Sequence, residues 1–270
     1  MSSPDATLLE ARTTTRRVAR TFAIACRLLP RAIRDDVYRL YLVFRTLDDL
    51  VDDGMPDAVE RVAAVEAWCA GAPPTTRETR LLDELDGRHG LPRDALADFC
   101  AGMRTDLDGL AIGTEDELDT YCYRVAGTVG ITMSALLGTR SDVDARPAAA
   151  ALGKAMQRTN ILRDIDEDLE GGRVYLATET LERFGFGAVP PPPSEREPLL
   201  RDQIARADAL YAEGRAGIAL LSSGRLAISA AAAMYQEILR QIERDGYRQG
   251  GRAAVTPGRK LLVAARSVAA

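Results

Sequence analysis

Two pairs of aspartates, each pair spaced four residues apart, are the residues of this 270-residue sequence best suited to chemistry. The first pair lies in Arg45-Thr46-Leu47-Asp48-Asp49-Leu50-Val51-Asp52-Asp53. On a helix Asp48 and Asp52 share one face, and Asp49 and Asp53 form the adjacent row. Like charges at this spacing weaken a bare helix. Tyr41, Leu42, Val43 and Phe44 precede them and imply a largely buried helix, where carboxylates need cations beside them. The second group is Gln157-Arg158-Thr159-Asn160-Ile161-Leu162-Arg163-Asp164-Ile165-Asp166-Glu167-Asp168. Asn160, Asp164 and Asp168 are successive i,i+4 neighbours, with Gln157 one turn before Asn160. Leu162, Ile165 and Leu169 lie on the other side and can enter a core.

Hard oxygen donors without histidine or cysteine suit Mg²⁺ over zinc. Mg²⁺ commonly bridges a few carboxylates to substrate phosphates. Two facing carboxylate helices would clamp a metal–diphosphate cluster and make carbon–oxygen cleavage feasible. The carbocation left behind needs a dry apolar cavity. One acidic i,i+4 pair is usually a solvated helix face. Two of them, both in apolar helices and both beside arginine, are harder to read that way. The glycine-containing calcium loop of an EF-hand is absent.

The elements that position these groups read as helices. Alanine, leucine and arginine dominate, aromatics make up only 5%, and no convincing alternating strand occurs. Periodicity predicts helices over 31–53, 56–70, 76–89, 92–110, 115–138, 147–170, 197–222, 224–246 and 257–268. The expected fold class is all-α, a helical bundle with a central cavity. Pro190 to Pro193 break any helix and read as an extended surface segment. This run is expected to be a loop inside one domain spanning 1–270, because the charged motifs before it need partners from both halves.

The net charge of −5, with both signs interspersed, argues against a nucleic-acid binder. Cys26, Cys69, Cys100 and Cys122 form no CxxC pair and His89 is the sole histidine, which argues against structural zinc. Scattered cysteines fit a reducing cytosol, so a cytoplasmic location is expected. The longest apolar run, Leu226 to Met234, is too short to span a bilayer. Peripheral membrane contact stays open, and oligomeric state is not encoded visibly.

The sequence resembles the squalene/phytoene synthase family over Thr21 to Leu262. RTFAIACRLLP is similar to the family's N-terminal segment, and YLVFRTLDDLVDD to its first Asp-rich motif. GMRTDLDG and YCYRVAGTVG resemble its central segments, and QRTNILRDIDEDLEGGRVYL its second Asp-rich motif. YQEILRQIERDGYR followed by RAAVTPGRKL resembles the C-terminal segment of phytoene synthases. The resemblance implies an all-α class I isoprenoid synthase fold with Mg²⁺ contacts at Asp48, Asp52, Asn160, Asp164 and Asp168. It places Arg45, Gln157, Arg163, Arg173 and Tyr247 where the family handles diphosphate or shapes the site. Lys260, with Arg259 beside it, matches basic C-terminal positions. Tyr121 falls near the reacting allylic group, and with Asp48 and Asp164 makes the expected catalytic set. The implied reaction joins two prenyl diphosphates. One ionises to an allylic cation, a double bond of the other attacks it, and the cyclopropylcarbinyl diphosphate formed ionises again to a long hydrocarbon.

Three departures bear on this expectation. The N-terminal segment reads Val18-Ala19-Arg20-Thr21-Phe22 where many relatives carry small polar residues, although Arg20 offers a guanidinium for diphosphate. Ala177 replaces a usual proline. Arg158 stands where the family commonly has leucine, and a charge in a hydrocarbon tunnel would be costly. Arg158 either enters the cavity and pairs with an anion there, favouring a shorter or more polar second substrate, or points elsewhere, snorkelling to solvent or pairing with a neighbouring carboxylate. The second substrate is therefore a prenyl diphosphate or an aromatic acceptor. A non-catalytic scaffold is the remaining alternative, and the intact aspartates weigh against it.

Overall fold

The two aspartate motifs ride on the longest helices among the described residues. The computed structural model describes residues 4–109, 111–140, 143–248 and 250–269. The helices are α1 (Pro4–Val18), α2 (Arg20–Cys26), α3 (Arg31–Asp52), α4 (Ala58–Cys69), α5 (Arg77–His89), α6 (Arg93–Leu107) and α7 (Glu115–Cys122). A π-helical turn (Tyr123–Gly127) joins α7 to α8 (Thr128–Leu137). Then follow α9 (Arg146–Glu170), α10 (Thr178–Arg183), α11 (Glu197–Ala216), α12 (Arg225–Arg244) and α13 (Pro257–Ala269). The described residues form no β-strand, only one isolated bridge between Thr139 and Leu221. The all-α expectation holds.

The ends of the two motif helices are set by local chemistry. Pro30 precedes α3, and Pro147 opens α9, where a missing N–H costs little. Gly171 and Gly172 stop α9, and Gly172 takes the left-handed φ of 74°. One apolar cluster gathers α3 to α6 around Leu47, Trp68, Leu82 and Phe99. A second gathers α7, α9, α11 and α12 around Leu118, Ile161, Ile165, Tyr211 and Leu239. Each motif helix thus buries its apolar side in a different cluster.

Three helices go beyond the expected set: α1, α2 and α10. The predicted helix 115–138 contains the π turn, and the one predicted over 197–222 changes to a 3₁₀ turn at Gly217. Leu110, the end of another predicted helix, lies outside the described residues. The proline run is less superficial than expected. Pro190 and Pro191 are buried, and Arg196 holds the run by donating to the Pro191 carbonyl (2.7 Å) and to Asp166 on α9 (2.5 Å).

The π turn and α9 approach at a glycine. A Cβ added to Gly153 would lie 2.2 Å from the Ala126 carbonyl oxygen, a backbone atom with little freedom to move. Gly153→Ala should therefore cost about 2–3 kcal/mol through overpacking, read as a lower urea midpoint with an unchanged slope.

Candidate active site

Beneath the aspartates lies a cavity of about 260 Å³. Phe44 and Tyr41 of α3, Gly153 and Met156 of α9, and Val125 and Ala126 of the π turn contribute to its wall. Phe44 sits one turn before Asp48, and Met156 one turn before Asn160. The carboxylates therefore stand at one end of an apolar chamber whose other end reaches Leu137, Ile218 and Leu221.

The first bank is braced by arginine. Arg45 donates to Asp48 (2.8 Å) and pairs with Asp49. The second bank is braced similarly: Arg163 holds Asp164 (2.8 Å through Nε), and Arg252 reaches the same carboxylate at 3.2 Å. Arg173, just beyond α9, donates to Asp52 on α3 at 3.0 Å and ties the banks together. Asn160 donates to the Gln157 side chain at 3.3 Å.

The negative charge is only partly relieved. Burial, then the neighbouring Asp52, pushes Asp48 up to about 7. Burial, then Asp164, pushes Asp168 up to about 6, with Asp52 adding from the opposite bank. Asp106 is likewise pushed up to about 6, chiefly by burial, although the Tyr121 hydroxyl counteracts this. Tyr121 is buried, donates to Asp106 at 3.3 Å, and stacks on Tyr175 with ring centroids 5.6 Å apart. Asp106, Tyr175 and Arg252 were not among the expected site residues. Asp106 lies in the GMRTDLDG segment, yet nothing in its spacing ties it to either aspartate pair.

The basic residues are divided. Lys260 donates to Thr21 at 2.9 Å, and its pKa is lowered by burial and then by Arg163, Arg20 and Arg252. These four cations therefore share one region beside the second bank. Arg259 instead pairs with Glu237 at 2.7 Å. Tyr247 is buried in the second apolar cluster with the Arg201 guanidinium 4.6 Å from its ring, and none of its described contacts is with the aspartates.

The donor set fits a hard cation that substrate oxygens help to bind. No three His, Cys, Asp or Glu among the described residues gather into a complete cation cage. Asn160 Oδ1, however, is buried without a hydrogen-bond partner, an acceptor available to a cation. The raised carboxyl pKa values point the same way, because a nearby cation would reverse them.

These shifts predict a pH effect without metal. A carboxyl whose folded pKa exceeds its unfolded value binds more protons when folded. Its contribution to stability therefore falls as pH rises from the unfolded value of 3.8 to the folded value of about 7 for Asp48. Metal-free Asp48→Asn should melt increasingly above the wild type as pH is raised from 5 to 8, and calorimetric scans at both pH values would show the widening gap.

Arg158 does not enter the cavity. It is 5% exposed and donates from Nη1 to Glu115 and to Gln203, both at 3.1 Å, on the side of α9 away from the chamber. Thr180 and Gln203 also donate to Glu115. The carboxylate alternative for Arg158 is the one the structure adopts.

The squalene/phytoene synthase family model matches residues 15–259. A phytoene synthase from Thermus thermophilus is 39% identical, over 87% of this chain and 82% of that protein. A 15-cis-phytoene synthase from Synechocystis is 35% identical, over 93% and 81% respectively. Among solved structures, a dehydrosqualene synthase in complex with ligand matches with a TM-score of 0.88 at 27% identity, covering 97% of this chain and 95% of its own. With those matches added to the paired acidic helices above an apolar cavity, the chain belongs to the squalene/phytoene synthase family.

Proposed function

We propose that this protein is a Mg²⁺-dependent prenyltransferase that condenses two prenyl diphosphates head to head. The observation that carries the reading is the placement of two carboxylate banks, bridged by Arg173, at one end of an apolar chamber. Asp48 and Asp52 on one side, with Asn160, Asp164 and Asp168 on the other, would hold Mg²⁺. The ion supplies charge neutralisation at the departing diphosphate.

The chain's own residues do the rest. Arg45, Arg163 and Arg173, now paired with aspartates, can turn their donors to diphosphate oxygens. Arg20 and Lys260 add positive charge beside the second bank. The stacked rings of Tyr121 and Tyr175 offer π-electron density to an allylic cation. Asp106 fixes the Tyr121 hydroxyl and hence the ring. The apolar chamber excludes water from the cation and receives the isoprenoid chain.

An aromatic acceptor loses its main support, because the charge expected to make the chamber polar is spent on Glu115. Ser134, a polar residue of the lining, donates inward to the Ile131 carbonyl at 2.7 Å. Incubation with farnesyl or geranylgeranyl diphosphate, separately, with Mg²⁺ should yield a C30 or C40 hydrocarbon and pyrophosphate. Pyrophosphate release only with an added aromatic acceptor would favour prenylation of that acceptor instead. No turnover and no diphosphate binding would leave a scaffold.

A further inference from the structure

Asp166 lies inside the second acidic motif, yet the metal-binding face of α9 has no place for it. It follows Asp164 by two residues, which turns it roughly 200° away from the row of Asn160, Asp164 and Asp168. Both of its oxygens are engaged. Oδ1 accepts from Arg196 Nη2 at 2.5 Å, and Oδ2 accepts from the backbone N–H of Gly251 at 2.7 Å. Arg196 is itself fixed: it is 4% exposed, and its Nε donates to the Pro191 carbonyl.

The bond to Gly251 directs the chain that follows. Gly251 holds a left-handed φ of 88°, and two residues on, the Ala253 N–H donates to the Arg163 carbonyl of α9 at 3.4 Å. Residues 251–253 are thereby pinned to α9 at both ends. Arg252 stands between the two pins. Its Nε reaches Asp164 at 3.2 Å, and its Nη1 reaches Glu167 at 3.5 Å. The guanidinium is still half exposed, open to an anion arriving from solvent, and it shares its region with Arg163, Arg20 and Lys260.

We infer that Asp166 is a positioning residue: through the Gly251 amide it sets Arg252 at the second bank, where the guanidinium receives oxygens of a diphosphate. A guanidinium held there beforehand binds without first ordering its own loop, so less affinity is lost to entropy. The rival role, a further metal ligand, conflicts with the two donors already on the carboxylate and with its phase on α9. The inference rests on the diphosphate reading above, because Arg252 needs that anion to meet.

The test is calorimetric titration of the full chain with inorganic pyrophosphate in the presence of Mg²⁺. Arg252→Ala should weaken binding about tenfold, the loss of one charge-assisted contact. Asp166→Ala should weaken it by a similar factor, since the guanidinium remains but is no longer placed. The losses should not add: Asp166→Ala/Arg252→Ala should bind about as Arg252→Ala does. Asp166→Asn keeps the volume but turns an amide against one of the two donors. It should fall between wild type and Asp166→Ala, and it carries the same cycle if Asp166→Ala does not fold. Losses that multiply in the double variant would leave Asp166 a purely structural residue, and unchanged binding in Arg252→Ala would leave it nothing to position; either result overturns the proposal. So would a higher half-saturating Mg²⁺ concentration in Asp166→Ala but not in Arg252→Ala, which would make Asp166 a metal ligand. Non-additive losses of pyrophosphate binding without any prenyl diphosphate turnover would keep this role and remove the proposed chemistry, and turnover with losses that multiply would do the reverse.

Discussion

Asp48→Asn and Asp164→Asn should each lower kcat/KM for prenyl diphosphate by about 100-fold or more, a loss of at least ~2.7 kcal/mol of transition-state stabilisation. Asparagine keeps the shape and one acceptor oxygen but removes the charge that would hold a cation against diphosphate. The two variants should also need more Mg²⁺ to reach half their maximal rate, because each bank would supply one anionic donor fewer. Folding should survive. Asp48 carries like charge from Asp52, Asp49 and Asp106, so neutralising it relieves repulsion. Asp53→Asn, on the exposed end of the same motif, is the control and should leave the rate within about twofold. Wild-type turnover in either variant would remove the metal assignment.

The sequence made α3 and α9 legible because their signals are local. The i,i+4 aspartates, the apolar opposite faces, Pro30 and the Gly171-Gly172 stop all lie within a few turns of one another. The described ends, Arg31–Asp52 and Arg146–Glu170, fall within a residue of those expected. Helix α1 gave no such signal, since Thr13, Thr14, Thr15, Arg16 and Arg17 interrupt any apolar stripe. It is held by tertiary contacts such as the Arg12–Asp35 pair to α3 (2.6 Å). The π turn was illegible for a related reason. A Cβ at Gly102 would stand only 3.0 Å from the Arg124 and Val125 side chains, so the turn fits its neighbours more than its own residues.

The site divides along the same line. Both aspartate banks could be read from spacing alone, while their pairing across the cleft through Arg173 depends on residues 121 positions apart. Asp106 joins the candidate site only once α6 and α7 bring it to Tyr121. Arg252 follows a glycine-rich stretch with no helical phase, so no local spacing points to the carboxylate it meets.

Arg158 gives the sharpest test of that division, because its partners lie 43 and 45 residues away. Glu115 is buried, which raises its pKa, but the Thr180 hydroxyl, the Arg158 charge and Gln203 together hold it below the usual carboxylate range. The stabilisation is therefore present above the ordinary glutamate pKa and is lost as pH falls through the lowered folded value. Arg158→Leu introduces the residue common in the family and leaves Glu115 without its closest cation. Arg206, 4.0 Å away, is a partial substitute. The expected cost is about 3 kcal/mol at pH 7, read by urea unfolding. Arg158→Leu/Glu115→Leu should recover most of it, since removing both charges also removes the desolvation they share. Hydrocarbon chain length should be the same in wild type and both variants, because the pair lies outside the chamber. A changed product length in Arg158→Leu with unchanged stability would put the guanidinium in the chamber after all and return the second substrate to a polar acceptor.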